Sequence, residues 1–394
     1  MSKREVWIVS AARTAIGSFG GTLKDTPMSE LAVTVVRAVI HRAAIDPAEV
    51  GHLVMGNVIP TEPRDAYISR VAAIEAGIPK ETPAFNVNRL CGSGLQAIVS
   101  AAQAIQLGDC DVAVAAGVES MSRGPYIVPS GRWGARLGDT AMVDYMNGIL
   151  HDPFQKIHMG MTAENVAVIY GVSREAQDEL AVESQRRAAR AIAEGRFVSQ
   201  IVPVAVKTRK GSVHFSVDEN VRGDSNVETL AKMKPVFKPG GTVTAGNSST
   251  LNDGAAAVVL VEADYAKSRH LKPLARLVAY AHAGVEPSHM GIGPVPATRI
   301  ALDKAGLTVK DLAVIEANEA FAAQACAVSR ELEFDPDKVN PNGSGISLGH
   351  PVGATGAVIT TKALYELERI AGRYALATMC IGGGQGIAAI FERA

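Results

Sequence analysis

The sequence contains few cysteines, and their spacing matches no metal-binding motif. The four are Cys91, Cys110, Cys326 and Cys380, and no two of them form a CxxC pair. This pattern excludes the common zinc sites, and we expect no bound metal. In a chain of 394 residues it indicates free thiols, so the question is which of them react and which only pack.

The sequence also lacks an excess of charge of either sign, and it has few aromatic residues. Lys and Arg number 39 against 40 acidic residues, and aromatic residues make up 5%. A balanced surface of this kind argues against binding to a phosphate backbone, so we expect no nucleic-acid partner. The abundance of Ala, Gly and Val favours closely packed α/β layers.

Long hydrophobic runs are absent as well. The most apolar stretch, residues 97–118, is interrupted by Gln103, Gln106, Asp109 and Asp111, so no segment reaches the roughly 18 apolar residues of a membrane helix. The first residues lead directly into a strand-like segment without the apolar region of a signal peptide. We therefore expect no membrane association and a cytoplasmic location.

Strand-like and helix-like segments alternate in the first third of the chain. Buried strands are predicted at residues 6–10, 50–58, 84–88 and 111–117, and helices at 29–44 and from Leu95 to Ile105. The alternation predicts parallel sheets covered by helices on both faces. Residues 121–251 have a different character, with a Gly-, Pro- and Arg-rich start and a charged helix at 173–194 that a capping box opens at Ser173. We interpret them as an insertion with short strands near 201–206 and 213–217.

The core pattern returns after Gly254 and repeats the first part. A helix at 298–305, a strand in "LAVIEANEAF" (312–321) and a strand ending in Cys380 follow the earlier order. Asn57 precedes Cys91 by 34 residues (91 − 57), and Asn318 precedes His350 by 32 (350 − 318). An internal duplication about a pseudo-twofold axis is the simplest explanation, and it predicts that the glycine-lined turns of Cys91 and His350 face each other.

Cys91 is the first candidate catalytic residue. A thiol at a helix N-terminus is expected to favour the thiolate, because it lies at the positive end of the helix dipole. Gly92 and Gly94 would leave room for a bulky substrate and keep backbone N–H groups free. The alternative is a buried structural cysteine beside a tight turn, which alone would be the more common case.

Three further segments carry candidate residues, each with an ordinary structural alternative. His350, made rigid by the following Pro351, suits a general base or a core histidine bonded to backbone. Cys380 ends a strand before Gly382, Gly383 and Gly384, which suits a second reactive thiol or a hairpin. Asn318 lies at a strand-to-helix junction and could simply cap the helix. We interpret Cys110 and Cys326 as packing residues.

One reaction uses this whole set. The thiolate of Cys91, activated by His350, takes an acyl group from a thioester, and Cys380 removes a proton alpha to a second thioester carbonyl. The two carbonyls of such a Claisen condensation need two oxyanion sites. Asn318, holding a water, forms one with His350, and the N–H groups of Cys91 and Gly382 form the other.

These segments resemble the thiolase family, the acetyl-CoA C-acyltransferases. The resemblance rests on "NRLCGSGLQA", "NEAFAAQ", "NPNGSGISLGHPVGATGA" and "CIGGGQGIAAIFE", with "GNSSTLNDGAAAV", "HMGMTAEN" and "GIGPVPA" in support. It runs from residue 4 to the end. "NVIPTEPRD", "RWGAR" and "HDPF" are most similar to the bacterial broad-range β-ketothiolases of polyhydroxyalkanoate synthesis.

The resemblance implies roles for individual residues. Cys91 matches the acyl-accepting nucleophile, His350 its base, Cys380 the Claisen acid/base, Asn318 the asparagine that holds the catalytic water, and Gly382 the oxyanion donor. Ser249 matches the serine that contacts pantetheine. The other matching coenzyme A contacts are Leu150, His158, Met159, Arg222, Phe237, Ala245, Leu251, Met290 and Phe321. Ser248 and Thr250 depart from the family's "NASGLND" pattern, which puts the shape of that loop in doubt.

The resemblance also implies a fold and an assembly. The fold is α/β, five-layered (αβαβα), with an N-terminal half formed by residues 1–120 and 252–272, an inserted loop domain at 121–251 and a C-terminal half at 273–394. The inserted domain binds coenzyme A, a substrate and product, and no cofactor is needed. Its segment 122–139 lies where bacterial thiolases carry the tetramerisation loop, so a homotetramer (a dimer of dimers) is implied.

The sequence leaves several functions open. A thiolase could work in biosynthesis or as a degradative 3-ketoacyl-CoA thiolase of β-oxidation. A decarboxylating β-ketoacyl synthase on the same fold would need a second histidine where this chain has Asn318. A non-catalytic lipid carrier would not need the reactive residues that are present.

Overall fold

The computed structural model describes residues 4–208 and 211–394. Within them lie fourteen strands, β1 to β14 in chain order, and eleven α-helices, α1 to α11. The strands are Val6–Arg13, Gly17–Ser18, His52–Gly56, Ala84–Val87, Val112–Ser120, Tyr126–Ile127, Val143–Asp144, Val204–Thr208, Gly211–Phe215, Asn252–Glu262, Ala275–Gly284, Leu312–Ala317, Tyr374–Ile381 and Gln385–Arg393. The helices are Met28–Ala43, Ile68–Glu75, Ser93–Leu107, Tyr145–Gly148, Met159–Ile169, Arg174–Ala193, Val227–Ala231, Ala263–Ser268, Pro294–Ala305, Ala322–Glu331 and Thr355–Arg369.

The strands of the core form one continuous sheet made of two similar halves. The order is β12-β13-β14-β11-β1-β10-β5-β3-β4, with the short β2 beside β10. The halves join where β1 pairs with β11, at Trp7–Arg276 and Ile8–Ala275 only. Such a short connection allows the two halves to fold over each other.

The helices and the two half-sheets form five layers. Helices α1 and α2 pack with β3, β5 and β10 in one hydrophobic cluster, and α9 and α10 pack with β12, β13 and β14 in another. Helices α3 and α11 lie between, since residues of both share a third cluster with strands of both halves. The αβαβα layering expected from the sequence is therefore confirmed.

The strand directions correct one sequence-based expectation. Only β3 with β4, β3 with β5, and β12 with β13 are parallel, whereas β1, β10, β11 and β14 pair antiparallel with their neighbours. The prediction of parallel sheets was wrong for these strands. The alternation signal could not show this, because a strand buried on both faces reads as a continuous apolar run in either direction.

The two halves repeat the same order of elements. Asn57 follows β3 and Asn318 follows β12, each at the end of a strand within its half. Helix α3 follows the Cys91 turn and α11 follows the His350 turn. In the second half only a parallel bridge between Ile315 and Val339 stands in the place that β4 occupies in the first. The internal repeat inferred from the sequence is therefore visible in the fold.

Helices α3 and α11 cross with their backbones in close contact. A Cβ on Gly94 would lie 2.7 Å from the backbone nitrogen of Ala357, and a Cβ on Gly356 would collide with the backbone nitrogen of Leu95. Distances below 3 Å are not tolerated by real Cβ atoms, so both glycines are required by the crossing. Since each lies within the first two residues of its helix, the crossing brings the preceding turns together.

The segment between β5 and β10 lies outside the main sheet. It contains the two-residue strands β6 and β7, helices α4 to α7 and the β8–β9 hairpin. Ser173 caps α6 by accepting a hydrogen bond from the N–H of Ala176. The expected capping box does not form, because Gln177 lies one residue beyond the position that a capping box requires, and its amide donates instead to the carbonyl of Val172 and to Thr242. Met1–Lys3 and residues 209–210, at the start of the predicted N-terminal half and within the insertion, lie outside the described residues.

Among the described residues 4–208 and 211–394, none of the helices combines the length and the apolar character that a membrane crossing requires.

We predict that Gly356→Ala destabilises the protein and also slows its reaction. The added methyl group has to push α11 away from α3, and overpacking of this kind costs about 1–3 kcal/mol. Chemical denaturation should therefore show a lower unfolding midpoint, and the rate of the expected acyl-transfer reaction should be lower. The control is Gly254→Ala, because a Cβ on this buried strand glycine meets nothing closer than 3.5 Å. Equal midpoints for the two variants would contradict the importance of the crossing.

Candidate active site

One large pocket opens between the inserted segment and the two crossing helices. Its volume is about 640 Å³. Four of the five catalytic candidates, Cys91, His350, Cys380 and Gly382, lie in its wall. Asn318 is buried behind the wall, with its amide nitrogen 3.5 Å from Nε2 of His350. The structure therefore brings together residues that are up to 291 positions apart in the chain (382 − 91).

The turn before Cys91 is held in an unusual backbone conformation. Leu90 has a φ of 45°, in the left-handed region that costs energy for a residue with a branched side chain. The side-chain oxygen of Asn88 accepts from the N–H of Leu90 at 2.9 Å. Ser93 Oγ accepts from the N–H of Arg89 at 2.8 Å and donates to the carbonyl of Leu90 at 2.7 Å. These three bonds offset the strain and fix the position of the thiol.

The glycines around Cys91 have a different role from the one expected. A Cβ on Gly92 would lie 2.6 Å from Cδ1 of Ile381, and Gly94 is needed at the helix crossing. The N–H groups of Gly92 and Ser93 are also bonded, to the carbonyls of Arg89 and Leu90. The expectation of free N–H groups is therefore wrong for Gly92 and Ser93, and close packing accounts for Gly94, whereas room for a substrate at this turn stays a prediction.

His350 is fixed by bonds on its backbone and on its ring. Its N–H donates to Oδ1 of Asn252 at 2.8 Å, and its Nδ1 lies 2.6 Å from Oγ1 of Thr355. Burial lowers the pKa of the imidazole to about 4. At neutral pH the ring is uncharged, and so it is able to accept a proton.

The hairpin after Cys380 presents the third group of candidates. Strands β13 and β14 are joined through Gly382, Gly383 and Gly384, and the last two have φ of 81° and 86°. The hairpin interpretation is therefore confirmed, and the reactivity of the Cys380 thiol stays a prediction. Cys380 is buried, and its pKa is raised by burial and by the neighbouring Cys91.

The thiol of Cys91 is not a thiolate in the free protein. Burial raises its pKa to about 11, and Glu119 acts in the same direction when ionised, although burial also raises the pKa of Glu119 to about 8. The N–H groups of Gly382 and of Cys91 itself act on the sulfur and lower the pKa, but by less. The expectation that the helix terminus favours thiolate was wrong, since desolvation outweighs the backbone dipoles.

Glu119 links the two turns, and sequence reasoning did not identify it. This buried carboxylate accepts from the N–H groups of Val58 and Ile59 in the first half and from the N–H of Gly353, three residues after His350, in the second. Asn57 donates to it as well. The available signal was a charged residue at the end of the apolar strand "VAVAAGVES".

Asn252 is a second residue that the sequence analysis missed. Its Oδ1 accepts from the N–H of His350, and its amide donates to the carbonyl of Gly17 at 3.0 Å. Thr250, one of the two departures in "NSSTLND", donates to the same oxygen at 2.8 Å. The other departure, Ser248, turns its hydroxyl to the carbonyl of Thr244 at 2.7 Å. Both hydroxyl groups are therefore satisfied within the loop, although both residues line the pocket.

The expected coenzyme A contacts lie along the same pocket. Phe237 stacks on the His158 ring with centroids 4.6 Å apart, and it contacts the ring of Phe321 edge-on. The Nδ1 of His158 accepts from the N–H of Gly160, and burial lowers the pKa of the His158 imidazole to about 4. All ten predicted contacts line the pocket, namely Leu150, His158, Met159, Arg222, Phe237, Ala245, Ser249, Leu251, Met290 and Phe321.

Beside Cys91 the pocket has an apolar side that the sequence did not predict. Met121, Met146 and Val352 form a buried cluster that packs against Cys91 and Leu90. Methionine side chains are flexible and fill irregular spaces, so this side can adapt to different apolar groups. These residues come from three separate segments, and only the tertiary structure places them together.

Comparison with known proteins decides the family. The family described as "Thiolase, N-terminal domain" matches residues 6–264, and "Thiolase, C-terminal domain" matches residues 271–393. The chain belongs to the thiolase family. It is an acyltransferase of that family, and the resemblance noted in its sequence is confirmed.

Relatives of this thiolase are similar over almost the full length. The chain is 66% identical over 391 residues to "Beta-ketothiolase BktB" of Cupriavidus necator, covering 99% of both chains. It is 50% identical to an "Acetyl-CoA acetyltransferase" of Chromobacterium violaceum, covering 99% of this chain and 100% of that protein. Among solved structures, human mitochondrial 3-ketoacyl-CoA thiolase superposes with a TM-score of 0.98 at 44% identity, covering 100% of both chains. The thiolase fold is therefore shown.

We predict that alkylation of Cys91 in the free thiolase accelerates steadily with pH. With a pKa of about 11, roughly one thiol in ten thousand is ionised at pH 7, and this fraction grows about tenfold per pH unit. Peptide mapping by mass spectrometry after timed iodoacetamide treatment measures the rate. A plateau near neutral pH would contradict the raised pKa. His350→Asn should slow alkylation of Cys91 but not that of Cys110, which is the internal control.

Proposed function

We propose that this thiolase is a β-ketothiolase that condenses two acyl-CoA molecules to a 3-ketoacyl-CoA and free coenzyme A, and that catalyses the reverse thiolysis. The observation that supports it is the meeting of Cys91, His350, Cys380 and Gly382 in one apolar pocket. The similarity to "Beta-ketothiolase BktB" supports the same activity.

In the first step Cys91 takes the acyl group. His350 accepts the thiol proton as the sulfur attacks the thioester carbonyl, and the oxyanion receives hydrogen bonds from the N–H groups of Cys91 and Gly382. Both of these N–H groups already act on the sulfur in the free protein. Cys380, a thiol at rest, gives its proton to the departing coenzyme A sulfur.

In the second step Cys380 is the base. Having lost its proton, it removes one from the α-carbon of a second acyl-CoA, and the carbanion attacks the acyl group on Cys91. The new carbon–carbon bond forms as the Cys91–acyl bond breaks, and the thiolate takes back its proton from His350. The enolate oxygen lies near His350 and a water held by Asn318, whose buried Oδ1 has no hydrogen-bond partner among the described residues.

This reaction needs no cofactor, since coenzyme A is both substrate and product. The pocket wall formed by His158, Phe237 and Ser249 suits a pantetheine arm, because it offers stacked rings and a short polar side chain along an apolar channel. Arg222 is exposed at the pocket and suits the nucleotide end of coenzyme A. Thiolysis is favoured thermodynamically, so a biosynthetic direction requires a reaction that removes the product.

The alternatives have less support. A decarboxylating β-ketoacyl synthase needs a histidine where Asn318 stands. A lipid carrier does not require a neutral histidine beside two buried thiols. The degradative direction uses the same residues, and the named human 3-ketoacyl-CoA thiolase has the same fold. Rates with acetoacetyl-CoA, 3-ketovaleryl-CoA and 3-ketohexanoyl-CoA, measured side by side, would define the range of chain lengths.

We further propose the division into two halves at residues 1–120 with 252–272 and at 273–394, with a loop domain at 121–251. The pairing of β10 with β1 and β5, and of β11 with β14, supports these boundaries. A cytoplasmic location is part of the proposal and fits four cysteines that are all free.

We also propose a homotetramer built as a dimer of dimers. Strand β4 pairs with β3 on one side only among the described residues, and Phe85 on it is exposed, which suits pairing with a second copy. In segment 122–139, Trp133 is 83% and Leu137 97% exposed. Large apolar side chains at such exposure suit a second interface.

Two cysteine variants test the proposed chemistry. Cys91→Ser should form no acyl-enzyme with acetoacetyl-CoA, whereas Cys380→Ser should acquire an acetyl group that mass spectrometry detects on Cys91 but should fail to complete condensation. Loss of the acetoacetyl-CoA absorbance after addition of coenzyme A measures turnover. The matched control is Cys326→Ser, because this thiol lies outside the pocket and bonds the Ala176 carbonyl. Acylation that persists in Cys91→Ser would refute the assignment.

The assembly is tested by charging the exposed apolar segment. Trp133→Glu combined with Leu137→Glu should give dimers in light scattering, because burying two carboxylates in an interface is unfavourable. Val198→Glu is the control, since this residue is 77% exposed on a different surface. Tetramers from the double variant would contradict the proposed interface.

A further inference from the structure

We propose that Thr355 is the positioning residue that sets the tautomer of His350. In this arrangement Nδ1 carries the hydrogen and donates it to the threonine hydroxyl, while Nε2 is left unprotonated toward Asn318 and the pocket. The inference deepens the proposed function, because it names the residue that makes His350 a base rather than a donor.

The geometry places the hydroxyl of Thr355 within hydrogen-bond distance of two neighbours. Its Oγ1 lies 2.6 Å from Nδ1 of His350 and 2.9 Å from the carbonyl oxygen of Pro351. Thr355 is the first residue of α11 and is 2% exposed, so no solvent competes for the hydroxyl. The bond to Pro351, four residues earlier, is the common backbone bond of a helical threonine.

Counting hydrogens decides the direction of the bonds. The threonine hydroxyl has one hydrogen, and a carbonyl oxygen can only accept. The contact with Pro351 therefore uses that hydrogen, and the contact with Nδ1 must use a hydrogen from the ring. A neutral imidazole has one N–H, so Nε2 of His350 is left as the acceptor.

The opposite arrangement satisfies fewer atoms. If Thr355 donated to Nδ1, its oxygen would lie 2.9 Å from the Pro351 oxygen with no hydrogen between them. The N–H at Nε2 would then face the amide nitrogen of Asn318, 3.5 Å away, which is also a donor. Two unfavourable contacts in a buried site make this tautomer the less stable one.

The assignment has a consequence for the charged state of the histidine. When His350 takes the proton of Cys91, its Nδ1–H faces a neutral hydroxyl and not a carboxylate. The imidazolium is therefore oriented by Thr355 but gains little electrostatic stabilisation from it. This fits a resting pair of neutral thiol and neutral imidazole that ionises only when an acyl-CoA is bound.

The experiment compares two threonines of the same helix. Thr361 donates to the carbonyl of Ala357 at 2.9 Å and is fully buried, and among the described residues Thr355 and not Thr361 bonds the ring nitrogen Nδ1 of His350, so Thr361→Val removes the same backbone bond alone. Thr355→Val should slow single-turnover acylation of Cys91 by about 10–100-fold, the usual effect of losing an orienting partner. The dissociation constant for coenzyme A should change less than about twofold in both variants.

A conservative variant separates the hydroxyl from the methyl group. Thr355→Ser keeps the hydroxyl and should acylate within about threefold of the unmodified protein. The proposal is overturned if Thr355→Ser is as slow as Thr355→Val, or if Thr355→Val acylates as fast as Thr361→Val. Should Thr355→Val fail to fold, Thr355→Ala removes the same hydroxyl with less steric change.

A direct measurement does not depend on turnover. Solid-state NMR of the protein labelled with ¹⁵N in histidine rings should show His350, assigned by its absence in His350→Asn, with Nδ1 protonated and Nε2 bare. The opposite pattern overturns the proposed tautomer even if the proposed β-ketothiolase activity is correct. Conversely, absence of thiolysis would refute the proposed function and leave the tautomer assignment measurable.

Discussion

The close contact between α3 and α11 is the constraint on which the site depends. At Gly94 and Gly356 the two helices approach so closely that neither position has space for a Cβ. Each helix begins just after a turn that carries a reactive side chain, Cys91 in one case and His350 in the other. Because the helices touch at their first residues, Cys91 and His350 line the same pocket, although 259 positions (350 − 91) separate them in the chain.

Buried hydrogen bonds then convert this proximity into a fixed geometry. Glu119 binds backbone N–H groups of both halves, and Asn252 binds the N–H of His350. The internal duplication has diverged at its paired asparagines. The amide of Asn57 donates to Glu119 and to the carbonyl of Val118, whereas the amide nitrogen of Asn318 lies 3.5 Å from His350 and its oxygen has no hydrogen-bond partner among the described residues. One copy thus contributes structure where the other contributes a polar group that is available for chemistry.

The electrostatics of the pocket follow from the burial of its reactive side chains. Burial raises the pKa of both thiols and lowers that of the histidine, so all three groups are neutral at rest. No charge has to be desolvated before substrate enters. In the proposed reaction, the N–H groups of Cys91 and Gly382 stabilise the charge that develops on the substrate, which is where such dipoles lower a barrier.

The sequence by itself determined the α/β class, the internal repeat and the residues of the reactive turns, because glycine-lined turns before apolar helices and strands leave a local pattern. Resemblance to the family also identified residues of the pocket wall, such as His158 and Phe237. The sequence did not determine strand direction, the raised pKa of Cys91, or the packing role of Gly92 and Gly94. Nor did it reveal Glu119, Asn252 and Thr355. These were decided by the tertiary structure, because desolvation, close backbone contact and hydrogen bonding to distant residues depend on which segments meet, and no local pattern records that.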